Sequence, residues 1–369
     1  MVSFGQLSDN PAIPARSVDW QDDALVIIDQ TLLPGEVRLL HLNSSRQVVD
    51  AIKRLSVRGA PSIGVAGAFG VAIAFREFEG DEDGFARAVM ELRQARPTAV
   101  NLARAVDRVA ATSGRGFAAI LDEASAIRDE EIAACWSMGA YGSDLLIELG
   151  GSRPQRLMTI CNTGGLAAVE RGTALGVIEA MLERGMLEEA IPLETRPLLQ
   201  GGRLTAWELQ RMGAPFRLIV DSAGPFLLSR GAADAVLIGA DRIAANGDTA
   251  NKVGSFSLAL GARHAGVPFI VVAPESTIDL DTASGEMIEI EDRGATEVVQ
   301  LRESAIAPVG THAINPAFDV TPRDLITAIV TDRRVIRLGL GEKLSEIPLG
   351  PTRGQPSIDQ SRLRNAKTK

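Results

Sequence analysis

The stretch "LMTICNTGGLAA", residues 157–168, decides how this chain is to be read. An unbroken apolar run ends on Cys161, and Asn162, Thr163, Gly164 and Gly165 follow, all turn formers, before a helical pattern resumes. A strand, a glycine-rich turn and a helix make the repeating unit of a parallel α/β domain. Working outward, apolar runs of strand length recur as "AIPLETR" (190–196), "FRLIVDS" (216–222), "AVLIGAD" (235–241) and "PFIVVAP" (268–274). Between them lie helical stretches such as "TALGVIEAMLERG", "LTAWELQRMG" and "SFSLALGARHAG". Strands that are apolar along their whole length and alternate with helices imply a parallel sheet covered on both faces. The expected architecture is α/β, with a doubly wound parallel-sheet C-terminal domain.

Upstream the rhythm differs. Short amphipathic strands, "ALVIIDQ" and "EVRLLHL", precede "SRQVVDAIKRLSV" and a series of alanine-rich helical runs reaching about Leu149. The Gly/Ser/Pro cluster "ELGGSRPQR" then marks a boundary. The expected domains are a mostly helical unit at 1–150, a catalytic α/β unit at 151–349 and a solvated tail at 350–369.

The 369 residues are 46% hydrophobic and 23% charged, enough for two separate cores. A net charge of −9 argues against a broad nucleic-acid or anionic-membrane surface and leaves room for a small basic pocket. Two cysteines, Cys135 and Cys161, suit neither a disulfide framework nor a metal site, and three scattered histidines add no ligand spacing. No leader pattern or membrane-length apolar run is read, so a cytoplasmic enzyme without metal or nucleotide cofactor is expected.

Ligands of open parallel sheets collect outside the carboxyl ends of the strands, where Cys161, Asp221 and Asp241 fall. Cys161 and Asp241 are a candidate pair for moving protons, although a cysteine there also serves as a small core residue and an aspartate as a helix cap. The turn "NTGGL" is expected to open a helix and present N–H groups to a phosphate. Arg58 beside Gly59 and Ala60, and Arg96 before Pro97, are candidate anion grips, with surface ion pairs as the alternative. Glu194, Arg196, Gln200 and Arg203 form a polar strand exit. Asn246, Asp248, Asn251 and Lys252 offer partners for sugar hydroxyls, or an Asx-rich turn.

Together "RGAPSIG", "RPTAVNL", "CNTGGLA", "ETRPLLQGGRLTAWEL", "GADRIAANGDTANKVGS" and "NPAFDVTP" resemble, in order and approximate spacing, the methylthioribose-1-phosphate isomerases, over roughly residues 17–340. That family is related to regulatory subunits of the eukaryotic initiation-factor exchange complex and to archaeal ribose-1,5-bisphosphate isomerases. The resemblance implies a helical N-terminal and a Rossmann-like C-terminal domain, usually as a homodimer. It also implies an aldose–ketose isomerase of methionine salvage that acts on a small sugar phosphate without a cofactor. Matched motif to motif, the catalytic pair falls on Cys161 and Asp241. The substrate-binding positions fall on Arg58, Gly59, Ala60, Arg96, Gln200, Asn251 and Lys252. The chain departs from the pattern in "CWSMGAYGS", which puts Cys135, Trp136 and Tyr141 where polar or basic residues are usual, and in Gly165, where serine is commoner. An acid at Asp241 is expected to need a dry, apolar crevice, and a thiolate at Cys161 an adjacent helix N-terminus.

Overall fold

The computed structural model describes residues 16–96, 99–301 and 304–353. The chain divides into two compact units, residues 1–125 with 165–170, and residues 126–164 with 171–369. The division thus runs at 125/126, with the "ELGGSRPQR" cluster inside the second unit.

The first unit opens with an antiparallel sheet of β1 (Val18–Gln21), β2 (Ala24–Ile28) and β3 (Leu39–Leu42), in that order. Helices α1 (Ser45–Lys53), α2 (Ala60–Glu77), α3 (Glu82–Arg93) and α4 (Val100–Ala110) follow, then the start of α5 (Phe117–Gly150). Helix α2 has no polar face over residues 62–74, all of them buried, so it forms the centre of the unit. Its glycines let neighbours close in. A Cβ on Gly67 would lie 2.4 Å from Leu102 of α4, and one on Gly70 would lie 2.7 Å from Leu92 of α3.

The second unit is built on six strands. In chain order they are β4 (Gln155–Thr159), β5 (Leu187–Pro192), β6 (Ala235–Ile238), β9 (Phe269–Val272), β14 (Ala328–Val330) and β15 (Val335–Ile336). Their spatial order is β15-β14-β9-β6-β4-β5, all parallel except the edge strand β15. Helices α6 (Ala174–Glu183), α7 (Ala206–Met212), α8 (Ala223–Ser229) and α9 (Ser255–Ala265) alternate with the strands. Met158, Val236, Ile238, Phe269, Val271 and Ile329 are fully buried in one apolar core with Leu258, Ala259 and Ala262 of α9. A second sheet, β10-β7-β8-β13, consists of β7 (Arg242–Ala244), β8 (Thr249–Lys252), β10 (Ile278–Asp279) and β13 (Phe318–Thr321). A short helix α10 (Thr296–Val299) leads into the hairpin β11 (Gln300–Leu301) and β12 (Ser304–Ala305).

The doubly wound sheet expected from the apolar runs is present: four of the five quoted runs supply β4, β5, β6 and β9, and β14 and β15 complete it. "FRLIVDS" does not form a strand. It makes only two isolated parallel bridges on the outer side of β5, Ala190 with Phe216 and Leu193 with Ile219. With solvent beyond it, that edge has no further strand to order the run. Only the first residues of the expected tail are described. Residues 350–353 are held by Tyr141 Oη, which donates to the Pro351 carbonyl at 3.0 Å, and by Arg353, whose N–H donates to Ser137 Oγ at 2.9 Å. The Arg353 guanidinium also lies 4.0 Å over the Tyr141 ring. The remainder of the expected tail lies outside the described residues.

Candidate active site

Numbered within the second unit, the parallel strands run 2-1-3-4-5, so the winding reverses between β4 and β6. At such a reversal the loops leaving two adjacent strands diverge to opposite faces and leave a crevice at the carboxyl edge. Thr159 pairs with Leu237 across this point. Cys161 follows β4 by two residues and Asp241 follows β6 by three. The two loops touch at Gly239, where a Cβ would lie 2.9 Å from the Thr163 methyl. Strand β5, on the other side of β4, delivers Glu194 to Gln200 to the same edge.

The backbone around Cys161 is unusual. Cys161 has φ +67°, and so has Thr195, while Leu199 has φ +56°. Left-handed backbone at a residue with a side chain costs about 1–3 kcal/mol and persists only where surrounding bonds hold it. Those bonds are present. The Cys161 N–H donates to Thr195 Oγ1 at 2.8 Å, and Thr205 Oγ1 donates to the Cys161 carbonyl at 2.6 Å. Each is a bond inside the protein worth roughly 1 kcal/mol, and both threonines are completely buried. Thr195 is held in turn by Asp221, whose carboxylate accepts the N–H groups of Thr195 at 2.7 Å and Arg196 at 2.6 Å. Thr205 accepts from the Asn162 amide at 3.2 Å, and the same amide donates to Glu208 at 2.5 Å. Gln200 precedes a π-helical turn, Gly201–Thr205. Gly201 is obligatory there, because a Cβ would lie 1.7 Å from the Leu193 carbonyl oxygen. Gln200 is buried, and its Oε1 has no hydrogen-bond partner. A buried amide oxygen left unpaired is an open acceptor for a ligand hydroxyl.

Burial, then the neighbouring Asp221 carboxylate, push the Glu194 carboxyl above its ordinary pKa, with Arg196 pulling the other way. The Arg196 guanidinium donates to the carbonyls of Pro197 and Val298, so its charge is tied to backbone.

The glycine-rich turn is corrected by the structure. Helix α6 starts only at Ala174, so the turn after Cys161 does not itself open a helix. Instead residues 165–170 leave the second unit and pack within the first. There Gln30 Nε2 donates to the Leu166 carbonyl at 2.7 Å and Ser17 Oγ to the Gly165 carbonyl at 2.7 Å. The chain then returns, and Gly164 bridges to Gly172. Thr163 closes this excursion, its carbonyl accepting the Thr173 N–H at 2.7 Å and its hydroxyl oxygen accepting the Leu175 N–H at 3.1 Å in the first turn of α6. Gly165 is required as the chain stands, since a Cβ would lie 1.9 Å from the Glu170 carbonyl oxygen.

Asp241 is also placed differently from expectation. It is exposed, not enclosed in a dry crevice, and its N–H donates to the Ala250 carbonyl at 2.9 Å. That bond ties it to β8, which ends in Asn251 and Lys252. Both are buried: the Asn251 amide donates to Ser255 Oγ at 2.9 Å, and Lys252 Nζ donates to the Ala317 carbonyl at 2.7 Å while lying 4.5 Å from the Phe318 ring. Asp319, opposite Asn251 on β13, accepts the N–H groups of Gly254 at 2.6 Å and Phe256 at 3.0 Å, capping α9. Burial raises its pKa to about 6 against those bonds and the nearby Lys252 charge. Asn246 and Asp248 serve the turn rather than a ligand. Asp248 accepts from Asn246 Nδ2 and from the N–H groups of Gly285 and Arg323, bonds that hold its carboxyl below the usual range although burial alone would raise it.

Arg58, Gly59, Ala60 and Arg96 belong to the first unit. Gly59, at φ +87°, makes room for chain: a Cβ would lie 2.4 Å from the Ala167 carbonyl oxygen. Ala60 opens α2, and Arg58 and Arg96 are partly buried. Of the unusual α5 residues, Trp136 lies under Arg171, 4.0 Å from its guanidinium, which is itself paired with Glu183; Tyr141 anchors residues 350–353, and Cys135 is buried. Among the described residues no group of three or more His, Cys, Asp or Glu is placed to hold a metal, and no helix is long and apolar enough to cross a membrane.

The residues that sequence reasoning passed over are Thr195, Thr205, Asn162, Glu208 and Asp319. All five lie inside motifs already singled out, but a threonine that shapes a backbone has no spacing signature of its own.

The sequence profile described as the Initiation factor 2 subunit family matches residues 56–337. A methylthioribose-1-phosphate isomerase of Anaeromyxobacter sp. (strain K) is 50% identical over 88% of this chain and 94% of its own. A probable bifunctional methylthioribose-1-phosphate isomerase/methylthioribulose-1-phosphate dehydratase of Nocardia farcinica is 49% identical over 88% of this chain, which spans 59% of that longer protein. Among solved structures, the 5-methylthioribose 1-phosphate isomerase of Pyrococcus horikoshii OT3 superposes with a TM-score of 0.82 at 39% identity, over 90% of this chain and 96% of that one. A structure titled translation initiation factor eIF-2B, subunit delta, from A. fulgidus superposes with a TM-score of 0.78 at 38% identity, over 87% and 96%.

Proposed function

Because the chain belongs to the Initiation factor 2 subunit family, we propose that it is the isomerase its most similar relatives are named for, converting 5-methylthioribose 1-phosphate to 5-methylthioribulose 1-phosphate. The observation that carries the chemistry is the placement of Cys161 and Asp241 on adjacent strands at the winding reversal of the sheet.

A phosphate on the anomeric oxygen blocks spontaneous ring opening, so the ring oxygen must be protonated as its bond to C1 breaks. Hydrogen then passes from C2 to C1 while the C2 hydroxyl becomes a carbonyl, and the proton it releases replaces the one the acid gave to the ring oxygen. C1 is reduced as C2 is oxidised, and no external redox partner enters. Asp241 is the acid at the ring oxygen. Because it is exposed, the bound substrate itself supplies the desolvation that raises its proton affinity. Cys161 stands at the C1–C2 edge and carries or shapes the hydrogen transfer. Gln200, with its unpaired buried oxygen, takes a sugar hydroxyl, and Asn251 orients another. Arg58 and Arg96, with Gly59 and Ala60, are taken as an anion grip of the first unit and Lys252 as one of the second, each contributing mainly by fixing geometry before reaction. A homodimer in the cytoplasm belongs to the same proposal.

One 38% identical structure is named as a translation initiation factor subunit, which favours a second reading, a non-catalytic assembly subunit. Incubation with 5-methylthioribose 1-phosphate, 5-deoxyribose 1-phosphate and ribose 1,5-bisphosphate, followed by NMR for ketose, separates the readings. Fastest turnover of the methylthio compound is expected. Preference for another sugar would reassign the 5-substituent, and no turnover of any would favour the assembly subunit.

A further inference from the structure

We infer that Thr195 and Thr205 are positioning residues that set the direction of the Cys161 thiol, an inference that rests on the catalytic role proposed above for Cys161. The backbone of Cys161 is left-handed, and the direction of a Cα–Cβ bond follows from φ and ψ. Were Cys161 to relax into the extended region preferred by residues with side chains, its Cβ would point elsewhere although its Cα stayed in place. Two hydroxyls oppose that relaxation. One accepts the Cys161 N–H and the other donates to the Cys161 carbonyl, so both of its backbone polar groups are engaged by side chains rather than by a neighbouring strand.

The two hydroxyls are themselves fixed. Thr195 Oγ1 donates to the Leu193 carbonyl at 3.0 Å, and its own left-handed backbone is pinned through its N–H to Asp221. Thr205 lies at the end of the π-helical turn and takes a bond from Asn162, which Glu208 anchors. The support therefore runs from Asp221 through Thr195 on one side of the thiol and from Glu208 through Asn162 and Thr205 on the other. Neither threonine is exposed, so neither is free to meet substrate. Their effect reaches the reaction only through Cys161.

The test uses the full chain with Thr195→Val, Thr205→Val and Thr195→Ser, the last retaining the hydroxyl. Turnover of 5-methylthioribose 1-phosphate gives kcat and KM. Iodoacetamide alkylation, resolved by mass spectrometry, gives the reactivity of Cys161 with buried Cys135 as internal reference. Each valine variant is expected to lose about 100-fold in kcat with KM changed by less than about threefold. Its Cys161 alkylation is expected to speed up about tenfold, as the buried thiol is released by local opening. Thr195→Ser restores both. A cooperatively melting valine variant with wild-type kcat and wild-type alkylation overturns the inference. Should Thr195→Val not fold, Thr205→Val decides on the same two readouts. Should the wild-type chain turn over no sugar phosphate, the catalytic reading fails, and the alkylation rates alone still decide whether the threonines hold the thiol.

Discussion

Cys161 and Asp241 leave adjacent strands of one sheet within three residues of the strand ends, yet their surroundings are opposite. Cys161 is buried, left-handed and bonded through both its N–H and its carbonyl to buried hydroxyls. Asp241 is exposed, and its N–H is tied to a backbone carbonyl of β8. A group that must meet a particular carbon needs a fixed direction, which only backbone strain and buried bonds supply. A group that must deliver a proton needs a suitable proton affinity, which a bound ligand can adjust by displacing water. The asymmetry between the two loops matches that division of work.

Removing either group is the harshest way to break the comparison. Cys161→Ser and Asp241→Asn are each expected to lower kcat by about 1,000-fold or more while substrate still binds, as read by isothermal titration. Near-normal turnover in either would remove that residue from the chemistry. Two glycines sharpen the contrast next, Gly201 in the turn that supports Cys161 through Thr205 and Gly239 in the loop that carries Asp241. Gly201→Ala puts a Cβ 1.7 Å from the Leu193 carbonyl oxygen, a backbone atom, and is expected to destabilise by about 3 kcal/mol or more in urea unfolding. Gly239→Ala, beside Asp241, meets only the Thr163 methyl at 2.9 Å and is expected to cost about 1 kcal/mol. Equal losses would show that the two loops are equally rigid.

A pH experiment addresses the support beneath Asn251. Asp319 has a folded pKa of about 6, above its ordinary 3.8, so the folded chain binds this proton more tightly than the unfolded chain. Stability contributed below about pH 4 is therefore lost as pH rises to about 6, by up to roughly 3 kcal/mol. Melting temperature measured across this range should show that fall in the wild type and a flatter profile in Asp319→Asn. Identical profiles would exclude Asp319 as the titrating group. The smallest effect is expected at Tyr141→Phe, which removes the hydroxyl's bonds to Pro351 and Arg353 and keeps the ring, and should cost about 1 kcal/mol or less in the same unfolding assay.

Much of this was legible in the residues. Fully apolar strands alternating with helices announced the parallel sheet, and the carboxyl-end rule singled out Cys161 and Asp241 before any coordinates. The excursion at 165–170 was not legible, because "LAAVE" continues a helical pattern locally and only the partners Ser17, Gln30, Gly59 and Ser62 draw it into the first unit. That the turn does not run straight into a helix was illegible for the same reason. That Gly59 also makes room for Ala167 is a long-range packing that no spacing signals. The exposure of Asp241 depends on how loops from several strands stack, which no spacing encodes. "NGDTANK" had two readings, and bonds to Gly285 and Arg323 from far along the chain decided that Asn246 and Asp248 build a turn.

The most direct measurement is an NMR time course of purified protein with 5-methylthioribose 1-phosphate, wild type beside Cys161→Ser. Accumulation of the ketose 1-phosphate in the wild type, and its absence in a variant that still binds the sugar, is the predicted result. An unchanged spectrum with the wild-type protein, or undiminished ketose formation by Cys161→Ser, would contradict it.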